Sequence, residues 1–174
     1  MTKKTAIESD ATFAAAVAGS MVNDCFGCGP DNPEGMKLKF VHDEQRERFV
    51  ARFELSKRYT GPPGHAHGGI IATILDEAMG KSNRLCKVVA VTKELTVEYL
   101  KLVPLGKPLV AEGWNHSIKG RVLIHMAEIR SAEGEVLARS RGTFITVDPH
   151  KMFADHINRD GRGGPDTTDK QLER

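Results

Sequence analysis

Asp76 stands out for the company it keeps. It lies in His67-Gly-Gly-Ile-Ile-Ala-Thr-Ile-Leu-Asp-Glu-Ala-Met-Gly-Lys-Ser82. On a helix, at ~100° per residue, this run sets Ile70, Ile71, Ala72, Ile74, Leu75, Ala78 and Met79 around most of the circumference. A helix that apolar is expected to be buried nearly all round. The remaining sector holds Gly69, Thr73, Asp76 and Gly80, small residues with one carboxylate among them. A buried carboxylate is costly unless it is paired or hydrogen-bonded, and no Lys or Arg shares its stripe. Two readings fit: a reactive carboxylate facing a ligand, or a helix-surface aspartate facing water. The flanking glycines favour the first, because they let a ligand or a second backbone come close.

The segment before the helix adds a second kind of chemistry. Gly61-Pro-Pro-Gly64 forbids helix and strand and makes a rigid loop. Gly68 and Gly69 then open the helix with backbone N–H groups that lack intrahelical acceptors, at the positive end of the dipole. Such an end can hold a phosphate or the oxyanion of a polarised carbonyl. Cys25-x-x-Cys28 is half a zinc site with no second pair, since Cys86 and His42 are distant in sequence. Reduced thiols in a Gly-rich turn are the simpler reading. His65 and His67 form an HxH pair that could join Asp76 on a metal, although a loop histidine is more often a hydrogen-bonding residue. Glu77 points ~100° from Asp76 and is expected to be a solvated or rim residue rather than a second catalytic acid. Trp114 and Tyr99 read as core or interface residues.

The elements that must position these groups are mostly strands. Met36, Leu38 and Phe40 alternate with lysines, and Phe49, Ala51, Phe53 and Leu55 with largely charged residues. Leu95, Val97 and Tyr99 alternate with Glu94, Thr96 and Glu98, and further strands are expected around 107–117, 121–131 and 135–147. One-face alternation at hairpin spacing means an antiparallel sheet with one side buried. The predicted class is α+β: a curved antiparallel sheet of five or six strands wrapped around one central helix. Residues 1–24 read as a leader, 25–148 as the domain, and 149–174 as a polar tail. The run Asp160-Gly-Arg-Gly-Gly-Pro-Asp166 in that tail is expected to be disordered.

Composition narrows the function classes. The chain has 174 residues, one domain's worth, and a net charge of +2 from 25 basic and 23 acidic side chains. That balance argues against nucleic acid as the main partner. No stretch approaches the ~18 apolar residues of a membrane span, and no secretory signal is expected, because Glu8 and Asp10 interrupt a weakly hydrophobic leader. Three cysteines form no closed disulfide framework, so the expected compartment is the cytoplasm.

Gly61-Pro-Pro-Gly-x-x-His67-Gly-Gly-x-x-Ala72-Thr-x-x-Asp76, followed by a strand and Pro104, resembles the acyl-CoA thioesterases of the hotdog fold. The nearest branch is the phenylacetate-pathway and thioesterase-superfamily-member type. The likeness spans about residues 25–148, including Cys25-Phe-Gly-Cys-Gly-Pro-Asp-Asn-Pro-Glu-Gly-Met-Lys-Leu38. The resemblance implies hydrolysis of an acyl-CoA substrate to free acid and coenzyme A. It needs no cofactor or metal, since coenzyme A enters with the substrate. Asp76 falls on the family's general base or nucleophile. Gly68 and Gly69 fall on the backbone donors to the carbonyl, with His67 beside them. Thr92 falls on a water-positioning hydroxyl. Arg121 matches a basic position that contacts coenzyme A, with Lys119, Lys101 and Glu98 placed on the substrate side. Some relatives carry Asn where this chain has Gly61. A homodimer, or a pair of dimers, is implied as the working unit. The alternatives are a hotdog hydratase or dehydratase, and a non-catalytic acyl-CoA-binding protein.

Overall fold

In the structure, a computed structural model, residues 23–152 are described. Nearly all of the expected leader and most of the expected tail lie outside the described residues. The strands are β1 (Phe40–Asp43), β2 (Arg48–Phe53), β3 (Ala90–Tyr99), β4 (Leu109–Lys119), β5 (Val122–Ser131) and β6 (Val136–Thr146). The main helix α1 (Gly68–Ser82) stands between β2 and β3, and a single turn, α2 (Pro149–Met152), follows β6. Residues Asn23–Val147 pack as one unit, while Asp148–Met152 fall in a second.

The six strands form one sheet in the order β1-β2-β4-β5-β6-β3, with every neighbouring pair antiparallel. The chain crosses from β2 to the far edge through α1 and β3, and the hairpins β4-β5-β6 then fill the sheet inward. This is the six-strand, one-helix architecture of a hotdog fold. Alternation carries the core: Leu123, His125, Ala127 and Ile129 of β5 are buried, as are Leu109, Ala111 and Gly113 of β4. At Gly113 the helix touches backbone, since a Cβ there would fall 2.1 Å from Ala78 O. Only glycine lets α1 sit that close to β4.

Two sequence expectations change. The alternation at Met36, Leu38 and Phe40 does not begin a strand until Phe40, because Lys37 adopts φ 54° and turns the chain. Met36 and Leu38 N–H groups instead donate to Phe26 O and Gly27 O. The helix is also not buried all round. Ile71, Ile74, Leu75, Ala78, Met79 and Ser82 are buried, Ile70 and Ala72 only partly, and Gly69 is exposed. One apolar flank packs on the sheet, and the small-residue stripe stays open in the single chain.

Candidate active site

The local chain sets the helix start before any ligand is considered. His67 is extended (φ −66°, ψ 140°) and caps α1, its Nδ1 accepting the Gly69 N–H at 3.0 Å. The loop ahead of it folds back, with Gly61 N–H donating to His65 O and His67 N–H to Tyr59 O, both at 2.9 Å. A Cβ at Gly61 would lie 2.6 Å from His67 Cα, so this loop has no room for the Asn of the resembling enzymes. The Gly69 N–H is thus engaged by its own cap, while the Gly68 N–H has no acceptor among the described residues. Tyr99, at the end of β3, donates its hydroxyl to Gly68 O at 3.1 Å and ties the strand to the helix start.

Two turns along α1, Thr92 Oγ1 donates to Asp76 Oδ1 at 2.8 Å. Thr92 sits at an irregularity in the β3–β6 register, between Thr92 and Glu94. Partial burial raises the Asp76 carboxyl above its ordinary range, partly offset by the Thr92 hydrogen bond; the neighbouring Glu77 charge pushes the same way as burial. The carboxylate is therefore positioned by a hydroxyl and faces the open stripe with Gly69, Thr73 and Gly80.

The remaining expected site residues divide between the two ends of β3. Arg121 Nη2 donates to Thr146 O at 2.9 Å, and Thr146 pairs with Ala90 at the Thr92 end, with exposed Lys119 on the same β4–β5 turn. At the helix-start end, Glu98 is ion-paired to Arg139 at 2.8 Å and Lys101 to Glu135. The structure brings Asp76 to Thr92, and His67 and Tyr99 to the glycines. It does not bring the glycine N–H groups to Asp76. In the HxH pair, His65 Nδ1 lies 2.8 Å from Pro63 O and His67 Nδ1 is engaged in the helix cap. Glu77 is less solvated than a free helix-surface carboxylate. It is half-buried, paired with Lys81 at 3.0 Å, and faces the cysteine turn.

Sequence reading missed the network behind the site. His125 is fully buried, with Nε2 2.9 Å from Asn83 Oδ1 and Nδ1 3.3 Å from Asn115 Nδ2. Asn83 Nδ2 in turn donates to Ala90 O at 3.0 Å, so the end of α1 is bonded to the start of the strand that carries Thr92. Its signal was a histidine in register with Leu123 and Ala127 on the inward face of β5.

Residues 63–138 match the family described as the Thioesterase superfamily. Over that span the chain belongs to the thioesterase superfamily. It is 31% identical over 118 residues to acyl-coenzyme A thioesterase THEM4 of Mus musculus, covering 67% of this chain and 51% of the relative. The chain thus spans about half the length of that curated relative. Among solved structures, a thioesterase superfamily protein is 31% identical with a TM-score of 0.64, covering 67% of this chain and 60% of that one. A hypothetical thioesterase from Streptococcus pneumoniae, crystallised with coenzyme A, is 18% identical with a TM-score of 0.59, covering 64% and 90%. The last shares the fold. Among the described residues no helix is long and apolar enough to cross a membrane.

Proposed function

We propose that this superfamily member hydrolyses acyl-CoA thioesters, with Asp76 as general base. The observation that carries the reading is the Thr92–Asp76 hydrogen bond on the open face of α1. The Thr92 hydroxyl spends its hydrogen on Asp76 Oδ1 and keeps lone pairs to accept a hydrogen bond from the attacking water. Asp76 takes the other proton as the water oxygen attacks the thioester carbonyl carbon. A helix-start N–H, that of Gly68 before that of Gly69, holds the resulting oxyanion. The carbon–sulfur bond then breaks, and the thiolate of coenzyme A leaves with the proton Asp76 had taken. Free acid and thiol result. Arg121 and Lys119 supply cations for the phosphates of coenzyme A, for which the planar guanidinium is well suited.

An aspartate and a threonine with the same sixteen-residue separation were each replaced by alanine in crystal structures of the Streptococcus pneumoniae protein, which supports the pairing. The working unit is a homodimer in which the helix start of one protomer faces Asp76 of the other. The test is thiol release from a panel of saturated, 2-enoyl and aromatic acyl-CoAs. Thiol release that Asp76→Asn abolishes is the expected result. Binding without thiol release, or hydration of the 2-enoyl substrate alone, overturns the reading.

A further inference from the structure

Cys25 and Cys28 leave the sequence short of a metal site, and the fold supplies a third donor. The turn that carries them is tight, with Gly29 N–H donating to Cys25 O at 2.8 Å. It lies against the second half of α1, where Glu77 projects. A Cβ at Gly27 would fall 2.5 Å from Glu77 Oε2, so the glycine makes room for the carboxylate. The two sulfurs and a Glu77 oxygen all lie within 4.8 Å of one another, with Cys25 Sγ already 3.8 Å from Oε2. We propose that Cys25, Cys28 and Glu77 bind one zinc ion, with the fourth position open to water beside the exposed Cys25.

Geometry and charge both fit. With Zn–S ~2.3 Å and Zn–O ~2.0–2.2 Å, donors on one tetrahedral ion stand roughly 3.5–3.8 Å apart. Closing the present triangle takes about 1 Å at most, which rotation of the Cys25 side chain can provide. Lys81 Nζ stands 2.9 Å from Cys28 Sγ and 3.0 Å from Glu77 Oε1. Its bonds therefore fall on Oε1 and Cys28, and Oε2 is left facing Cys25. Two thiolates and a carboxylate around Zn²⁺ carry one net negative charge, which the Lys81 ammonium cancels. Such outer-shell donors orient the ligands they touch. The ion would pin the cysteine turn to α1 beside Asp76, on a different face of the helix from the reacting carboxylate.

The experiment uses the full chain, metal-stripped under reducing conditions and titrated with Zn²⁺, and with Co²⁺ as a spectroscopic probe. One ion per chain is expected, with a thiolate-to-cobalt charge-transfer band and protection of Cys25 and Cys28 from alkylation that a chelator lifts. Cys25→Ser and Glu77→Gln should each weaken zinc binding by at least ~100-fold, the upper range for outer-shell losses. Cys86→Ser removes the third free thiol and should leave the affinity unchanged. Because Cys25 is exposed, its variant tests the site even where Cys28→Ser fails to fold. A folded wild-type chain without the cobalt band, or zinc affinity untouched by Glu77→Gln, overturns the proposal.

Discussion

Asp76 holds its proton to higher pH than a free aspartate, so its ionisation works against the fold that positions it. The sign follows from linkage. A carboxyl whose folded pKa is raised costs nothing at low pH, and stability falls as pH rises through that pKa. Asp76→Asn removes this cost, and its side-chain oxygen can still accept the Thr92 hydrogen. At neutral pH the variant should melt at or above the wild-type temperature while kcat falls by ~10²–10⁴-fold, the usual loss for a general base. Thermal melts beside steady-state rates check both, and joint loss of melting temperature and activity would assign Asp76 to structure instead. In the wild type, the acid limb of kcat/KM should lie above the ordinary carboxylate range and disappear in the variant. Thr92→Ala should lower kcat more than it raises KM, since holding a water matters mainly in the transition state; a change in KM alone would make Thr92 a substrate-binding group. Of these two residues only Asp76 was legible from pattern, as the one carboxylate on a small-residue stripe. Thr92 sits among ordinary strand residues, and its place came from the resemblance alone.

Between elements, alternation was readable wherever the backbone stayed regular. β4, β5 and β6 begin and end within two residues of expectation. β3 begins at Ala90, five residues before its alternation starts at Leu95, because the irregularity between Thr92 and Glu94 breaks the period of two. The His125–Asn83 link was invisible because it joins positions 42 residues apart. Burial pushes the His125 pKa down to about 4, so the ring is neutral in the folded protein. An unfolded histidine titrates near ~6.5. The unfolded state therefore binds the extra proton across that window, and stability is full above it and lost as pH falls toward about 4. A gap of that size corresponds to something on the order of 3 kcal/mol. Denaturant unfolding near neutral pH and near the lower end of the window should show wild-type stability falling more steeply than that of His125→Gln. Parallel losses in the two proteins would remove His125 from the account.

The whole molecule is where one chain's pattern stops being informative. β3 lies at the sheet edge, and close to it Tyr99, Leu100 and Leu102 are 54%, 47% and 61% exposed. The stripe of Gly69, Thr73, Asp76 and Gly80 is open on the same protomer. Gly68 and Asp76 are eight residues apart, ~12 Å along the axis, too far for both to act on one carbonyl. The proposed two-fold partner, with its helix antiparallel, would answer all three: it would cover the edge, close the stripe and bring one helix start to the other Asp76. Gly68→Pro tests this more cleanly than a bulky substitution. Proline is tolerated at the first helical position and deletes only the N–H there. His67 before it is already extended (φ −66°, ψ 140°), as a residue preceding proline should be. Neither Gly68→Pro nor Asp76→Asn should be active alone. Co-refolded in equal amounts, half the dimers are mixed and each regains one site of two, so specific activity should return to about a quarter of wild type. Mixed dimers separated by differential tags and found inactive would place each complete site within one chain.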